Sequence, residues 1–231
     1  MKFLKARKAL IETALRMNAS GINQGTSGNL SQRVPAGLLI TPSGVPYGEM
    51  APADVVFMDM AGTWQCERQG RRPSSEWRFH LDILTARPEV NAIVHCHSQK
   101  ATALACLRQG IPAFHYMVAI AGGDDIRCAP YETFGSQALS QAALDALADR
   151  WACLLANHGQ IALGRDLRQA LALAIEVEVL AEQFCTAQSL QMYLGRPKIL
   201  SKKEMVKVLA KFQAGAGYAS DASDNPKRKN P

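Results

Sequence analysis

The chain holds only five histidines, at positions 80, 95, 97, 115 and 158. His95 and His97 stand two apart in Asn91-Ala92-Ile93-Val94-His95-Cys96-His97, an apolar run that predicts a strand, and alternate residues of a strand face the same way. His158 falls in Asn157-His158-Gly159, a small-residue turn that follows a second apolar run at 152–156. Three neutral imidazoles around one ion leave a position open to water or substrate, the arrangement of a catalytic zinc site. A His-Cys-His triplet alone also fits a half-buried histidine pair satisfied by the protein. Glu76 adds weight to the metal reading. It lies in the first turn of a predicted helix, with His80 one turn later on the same face and Ser74 and Ser75 beside it. Taken singly, Glu76 is a capping carboxylate that complements the helix dipole. Taken with the histidines, it is a fourth ligand or a proton-transfer group, because a carboxylate next to a dication stays ionised and can serve as a base once displaced.

These residues need a scaffold, and the pattern supplies one. Phe3, Leu4, Leu10, Ile11, Ala14 and Leu15 share one side of a helical wheel and predict a first helix ending at 18–21. The turn Gln24-Gly25-Thr26-Ser27-Gly28-Asn29 cannot continue it. Strands are predicted at 30–34, 38–41 and 55–58. The helix opening at Pro73-Ser74-Ser75-Glu76, with serine as its cap, runs to 86 and is closed by Pro88. The His95 strand spans 91–97 and is followed by a helix at 99–108, a short strand at 113–118 and the turn Ala121-Gly122-Gly123. Further helices are predicted at 134–147, 167–192 and 201–211, and strands at 152–156 and 161–163. Several strands are joined by turns too short for crossovers, so the pattern describes an α/β domain with a mostly antiparallel central sheet.

Composition narrows the classes. The 231 residues suffice for one core, and we expect one domain over 1–215 followed by a disordered basic tail at 216–231. At 48% hydrophobic, the chain has no apolar run near the roughly 18 residues that cross a bilayer. Its basic start is interrupted by Glu12, Thr13, Arg16 and Asn18, which predicts an amphipathic helix, not a signal peptide, and a cytoplasmic protein. Six cysteines without CxxC spacing read as reduced thiols. The net charge of +6 is concentrated at the two ends, including Lys227, Arg228 and Lys229, and lacks the aromatic-and-basic interleaving that stacks bases. No nucleic-acid or membrane partner is expected; an anionic metabolite is.

The ordered motifs extend well beyond the histidines. The chain carries Asn23-Gln24-Gly25-Thr26-Ser27-Gly28-Asn29-Leu30-Ser31, Leu39-Ile40-Thr41-Pro42-Ser43-Gly44-Val45-Pro46-Tyr47 and Pro73-Ser74-Ser75-Glu76-Trp77-Arg78-Phe79-His80. It continues with Ala92-Ile93-Val94-His95-Cys96-His97, Ile111-Pro112-Ala113-Phe114-His115-Tyr116-Met117, Cys128-Ala129-Pro130-Tyr131-Glu132-Thr133-Phe134-Gly135 and Asn157-His158-Gly159. With these, it resembles the class II aldolase and adducin-head family over roughly residues 4–212.

The resemblance implies a three-layer fold in which His95, His97 and His158 hold one zinc ion per subunit. Glu76 is implied as fourth ligand and, once substrate binds, as catalytic acid/base. A phosphate group is implied among Thr26, Gly28, Asn29, Ser43, Gly44, Ser74 and Ser75; glycine-turn N–H groups, hydroxyls and a helix start all present donors to an anion. Tyr116 matches a catalytic tyrosine reached from the neighbouring subunit of a C4 homotetramer. The implied reaction is reversible retro-aldol cleavage of a ketose 1-phosphate, L-fuculose 1-phosphate or a related one, to dihydroxyacetone phosphate and a short aldehyde such as L-lactaldehyde. Epimerase, dehydratase and decarboxylase chemistry on the same scaffold, or a non-enzymatic interaction module, are the alternatives. In one place the pattern differs: the family's second tyrosine, three positions after the phenylalanine matched by Phe212, is Gly215 here, leaving Tyr218 as the candidate for the aldehyde pocket.

Overall fold

The amphipathic start forms α1 (Leu4–Ala19), which buries Leu10, Ala14 and Met17 along one face. A computed structural model, describing residues 1–214, then places β1 (Asn29–Val34), β2 (Gly37–Ile40), β3 (Val56–Asp59) and β4 (Trp64–Gln65) before α2 (Trp77–Ala86). The middle of the chain supplies β5 (Ala92–Cys96), α3 (Gln99–Cys106), β6 (Ile111–Pro112), β7 (Asp125–Ala129) and α4 (Gln137–Ala146). It closes with β8 (Ala152–Leu155), β9 (Gly159–Gly164), α5 (Leu167–Ser189), α6 (Gln191–Leu194) and α7 (Lys202–Gln213). Gly215, Tyr218 and the expected basic tail lie outside the described residues.

The strands form one sheet in the order β4-β3-β2-β1-β5-β9-β8-β7-β6. Its pairings are antiparallel except β7 with β8. All five residues of β5 are buried between β1 and β9, so the histidine strand runs through the middle of the sheet. Alternation sends Leu30, Val94, Cys96 and Ala162 to one face, under α1, α3 and α5, and Leu38, Ile40, Ile93 and Ile161 to the other, under α2 and α4. Two cores on opposite faces of one sheet make three layers, as expected. Among the described residues no helix is long and apolar enough to cross a membrane.

Several boundaries differ from the sequence reading. The segment expected as a strand at 113–118 is a turn over 113–115 that leads into a 3-10 helix, Tyr116–Ala121, closed by Gly122 at φ 89°. Its residues pack Met117, Val118 and Ala119 into the core, and this packing outweighs their extended propensity. β7 went unforeseen because Asp125 and Arg127 interrupt its apolar pattern; both carboxylate oxygen and carbonyl of Asp125 accept from Arg150. The long C-terminal helix ends at Ser189, three residues early, and restarts as α6. β5 stops at Cys96, so His97 stands just beyond the strand.

Candidate metal centre

Three parts of the chain bring the site together. In the antiparallel register Asn29 faces His95 across β1 and β5, while Cys96 faces Gln160 across β5 and β9. His158 occupies the β8–β9 turn, where its N–H donates to the Leu155 carbonyl at 3.0 Å. Two glycines permit this closeness. A Cβ on Gly159 would meet the Cys96 carbonyl at 2.5 Å and the His97 ring at 2.8 Å, and one on Gly28 would meet the His95 carbonyl at 2.6 Å. Either would push the histidine strand from its neighbour.

Glu76 arrives from α2. It occupies the N-cap position and not the first turn. A serine was expected as the cap; Ser74 accepts the Glu76 N–H on its hydroxyl at 3.3 Å. The side chain is buried, 5% exposed. Its Oε2 lies 3.1 Å from His95 Nε2 and its Oε1 3.1 Å from His158 Nε2.

The three imidazoles form a near-equilateral triangle, with ring centroids 4.9, 4.8 and 4.9 Å apart. One ligand atom from each of Glu76, His95, His97 and His158 lies within 4.8 Å of every other. The donor chemistry fits a cation. His95 Nδ1 donates to the Gln160 carbonyl at 2.9 Å, and that bond turns Nε2 toward the cluster. Nε2 is 3.1 Å from His97 Nε2 and 3.1 Å from a carboxylate oxygen, an arrangement that one cation shared by the three would satisfy. Glu76 Oε1, moreover, is buried without a hydrogen bond. Three imidazoles and one carboxylate form a site for one divalent ion.

Electrostatics prepare these groups as ligands. Burial alone would raise the Glu76 carboxyl, but the His95 and His158 imidazoles beside it prevail and hold it well below the usual carboxylate range. Burial, with His95 and His158 close by, pushes His97 down to about 4, so its ring is neutral at neutral pH. Supporting residues fix the rings: Gln160 donates its side-chain N–H to Ser98 Oγ at 2.7 Å and to the Ala174 carbonyl at 3.1 Å. Glu178 accepts the Lys100 and Ala101 N–H groups at 2.8 and 2.9 Å, pinning the start of α3 just after His97.

The cluster opens on a cleft of about 300 Å³ lined by Ser27, Ser75, Glu76, His97, Tyr131, Glu132, Phe134, Asn157 and His158. Of the expected phosphate residues, Ser75 lines it directly. The Ser43–Gly44 loop is tied to the segment before Ser74: Ser43 N–H donates to the Arg72 carbonyl, Ser74 N–H to the Thr41 carbonyl, each at 3.0 Å. Thr26, Ser43 and Gly44 are exposed, whereas Gly28 and Asn29 are buried. The Asn29 side chain is engaged elsewhere, its amide N–H donating to Glu76 Oε2 at 2.9 Å. Tyr116 is 48% exposed and does not line the cleft of its own chain. The sequence reading missed Ser27, Tyr131, Glu132, Phe134 and Asn157 as site residues. Each lies inside or beside a motif already singled out, and adjacency was the one available signal.

Comparison with known proteins agrees with this geometry. The 5-methylthioribulose-1-phosphate/5-deoxyribulose-1-phosphate aldolase of Rhodospirillum rubrum is 53% identical over 207 residues, 90% of this chain and 90% of that one. The L-fuculose phosphate aldolase of Escherichia coli is 45% identical over 209 residues, covering 90% and 94%. A solved L-fuculose 1-phosphate aldolase superposes with a TM-score of 0.84 at 38% identity, covering 90% of this chain and 95% of its own. Residues 8–185 match the Class II Aldolase and Adducin N-terminal domain, so the resemblance seen in the motifs holds across both cores and the metal centre, and the chain belongs to that family.

Proposed function

We propose that the protein is a metal-dependent class II aldolase that cleaves a ketose 1-phosphate reversibly into dihydroxyacetone phosphate and a short aldehyde, working as a cytoplasmic C4 homotetramer. The observation that carries the reading is a buried carboxylate, Glu76, converging with three imidazoles at the floor of a cleft edged by serine hydroxyls. His95, His97, His158 and Glu76 hold the cation, which when bound supplies Lewis-acid stabilisation of the negative charge that develops on substrate oxygen.

The chain's own groups do the rest. Thr26, Ser43, Ser74 and Ser75 offer hydroxyls, and Gly28, Asn29 and Gly44 offer main chain, to the phosphate. Asn29 contributes there through its backbone, because its side chain serves Glu76. Tyr116 of an adjacent subunit accepts the C4 hydroxyl proton as the C3–C4 bond breaks and the electron pair remains on C3. Glu76, carrying a proton taken up from solvent once substrate binds, then delivers it to C3, which completes dihydroxyacetone phosphate, while the C4 fragment leaves as the aldehyde and Tyr116 returns the C4 hydroxyl proton to solvent. Addition runs through the same groups in reverse.

Tyr131 and Phe134 line the same cleft with exposed rings, and on this reading they receive the far end of the aldehyde. Such rings suit a methyl or methylthio tail, the tails of the 5-deoxy and 5-methylthio sugars for which the R. rubrum relative is named. The test is a panel of L-fuculose 1-phosphate, 5-deoxyribulose 1-phosphate and 5-methylthioribulose 1-phosphate. Zinc-loaded protein releases dihydroxyacetone phosphate from at least one, and chelator abolishes the release. Epimer or dehydration product without carbon-bond cleavage would reject the aldolase reading.

A further inference from the structure

We propose that Ser31, His80 and Asn29 form a one-way hydrogen-bond relay that positions the Glu76 carboxylate, making His80 a positioning residue for the reaction. Its consequence for turnover rests on the aldolase reading; its consequence for the metal site does not.

All three residues are buried: Ser31 and His80 are fully enclosed and Asn29 is 4% exposed. None lines the cleft. Asn29 Nδ2 donates to Glu76 Oε2 at 2.9 Å, which turns Asn29 Oδ1 toward His80 Nε2, 2.6 Å away. An amide carbonyl oxygen only accepts, so His80 Nε2 carries the hydrogen. The neutral ring then presents a lone pair at Nδ1, and the Ser31 hydroxyl lies 2.7 Å from it as the donor. Every bond thus points the same way, from Ser31 through His80 and Asn29 to the carboxylate. Reversing any joint would set the Asn29 carbonyl against Glu76 Oε2, two acceptors face to face. The set has one internally consistent arrangement, and aligned hydrogen bonds strengthen one another in a buried chain.

The architecture explains why these residues meet. Asn29 and Ser31 are alternate residues of β1 on one face, and Glu76 and His80 are one helical turn apart at the start of α2. The strand pair and the helix pair have similar spacing, so packing α2 on the sheet brings both contacts into place together. The relay also distinguishes the two carboxylate oxygens. Oε2 receives the Asn29 N–H, while Oε1 has no hydrogen bond. This stops rotation of the carboxylate about its last bond and keeps Oε1 available on the His158 side. His80 is therefore more than a core side chain stacked on Phe79 at 4.5 Å.

Substituting His80 separates positioning from filling space. Glutamine can place an amide N–H where the ring has Nε2–H; leucine fills the space without a donor. His80→Leu should lower kcat by about 10- to 100-fold with KM within about twofold, and His80→Gln should restore kcat to within about threefold of wild type. The second readout is the visible absorption spectrum of each protein loaded with Co²⁺ alone, which reports the ligand arrangement without turnover. It should shift in His80→Leu and overlay wild type in His80→Gln. Restoration by glutamine of whichever signal leucine disturbs supports the relay. A leucine variant that matches wild type in both signals, or a glutamine variant as far from wild type as leucine in a signal that leucine disturbs, overturns it. If His80→Leu does not fold, Ser31→Ala decides: a kcat about three- to tenfold down at unchanged KM supports the relay and a wild-type kcat overturns it. If wild type cleaves none of the sugar phosphates, the functional reading fails and the cobalt spectra alone decide.

Discussion

Glu76 concentrates the chemistry of the molecule in one side chain, because the same carboxylate faces His95 and His158 and accepts from Asn29. Its two proposed duties, ligand and proton carrier, separate under substitution. Glu76→Gln keeps the volume and keeps an oxygen for the Asn29 amide, so the fold and much of the bound metal should persist on the three histidines. It cannot carry the proton, and kcat should fall by at least about 100-fold. Metal analysis of the dialysed variant beside its rate of dihydroxyacetone phosphate release checks both halves. Near wild-type carbon-bond cleavage by a metal-loaded variant would remove Glu76 from the acid/base role. Spacing exposed His95 and His97 as a same-side pair, and position exposed His158, in a small-residue turn after a strand, and Glu76, at a helix start beside His80. The link from Ser31 through His80 to Asn29 was illegible, because it depends on where α2 lands on β1, a distance set by packing and by no local pattern.

At the scale of elements, the loop that delivers Glu76 needs an anchor of its own, and Asp54 supplies it. Its side chain is fully buried two residues before β3. It accepts the Ala51 N–H at 2.9 Å and the Arg71 guanidinium at 2.7 Å, with Arg68 at 3.2 Å. Burial raises the Asp54 carboxyl, but the Ala51 N–H, the Arg71 hydrogen bond and the charges of Arg68 and Arg71 outweigh it and hold the group below its ordinary value. A carboxyl depressed by folding contributes stability above its unfolded value of about 3.9 and loses it as pH falls through the folded value. Asp54→Asn should therefore cost about 1–3 kcal/mol at neutral pH, and the Tm gap to wild type should narrow below about pH 4. Thermal melts of both proteins between pH 3 and 7 test this; an equal gap at both ends would mean that charge is not the source. Elements also show where pattern reading stops. The strands β1, β2 and β3, each bounded by turn residues, were foreseen to within one or two residues, as was the mostly antiparallel sheet. The 3-10 helix at Tyr116–Ala121 and the polar strand β7 were not, since their conformations come from tertiary contacts with α5, α7 and Arg150.

At the scale of the whole molecule, one chain does not contain everything the proposed reaction uses. Tyr116 stands exposed outside the cleft of its own subunit, and the α5–α6 corner presents Met192, Tyr193 and Leu194 to solvent at 88, 83 and 79% exposure. Apolar side chains clustered in this way are the surfaces that assemblies cover. In a closed ring, each site would take Glu76 from one chain and Tyr116 from its neighbour. Tyr116→Phe and Glu76→Gln chains are then each inactive alone but defective in different halves of the site. Dissociated, mixed in equal amounts and reassembled at random, they restore a sound Glu76 facing a sound Tyr116 at about one site in four. Activity should recover to about a quarter of wild type in the mixture and stay at background in either variant reassembled by itself. Native mass spectrometry establishes that mixed oligomers have formed. If they have and activity remains at background, Tyr116 does not act across a subunit boundary, and the proton acceptor for C4 must be sought among the groups that line the cleft from within, beginning with Tyr131 and Glu132.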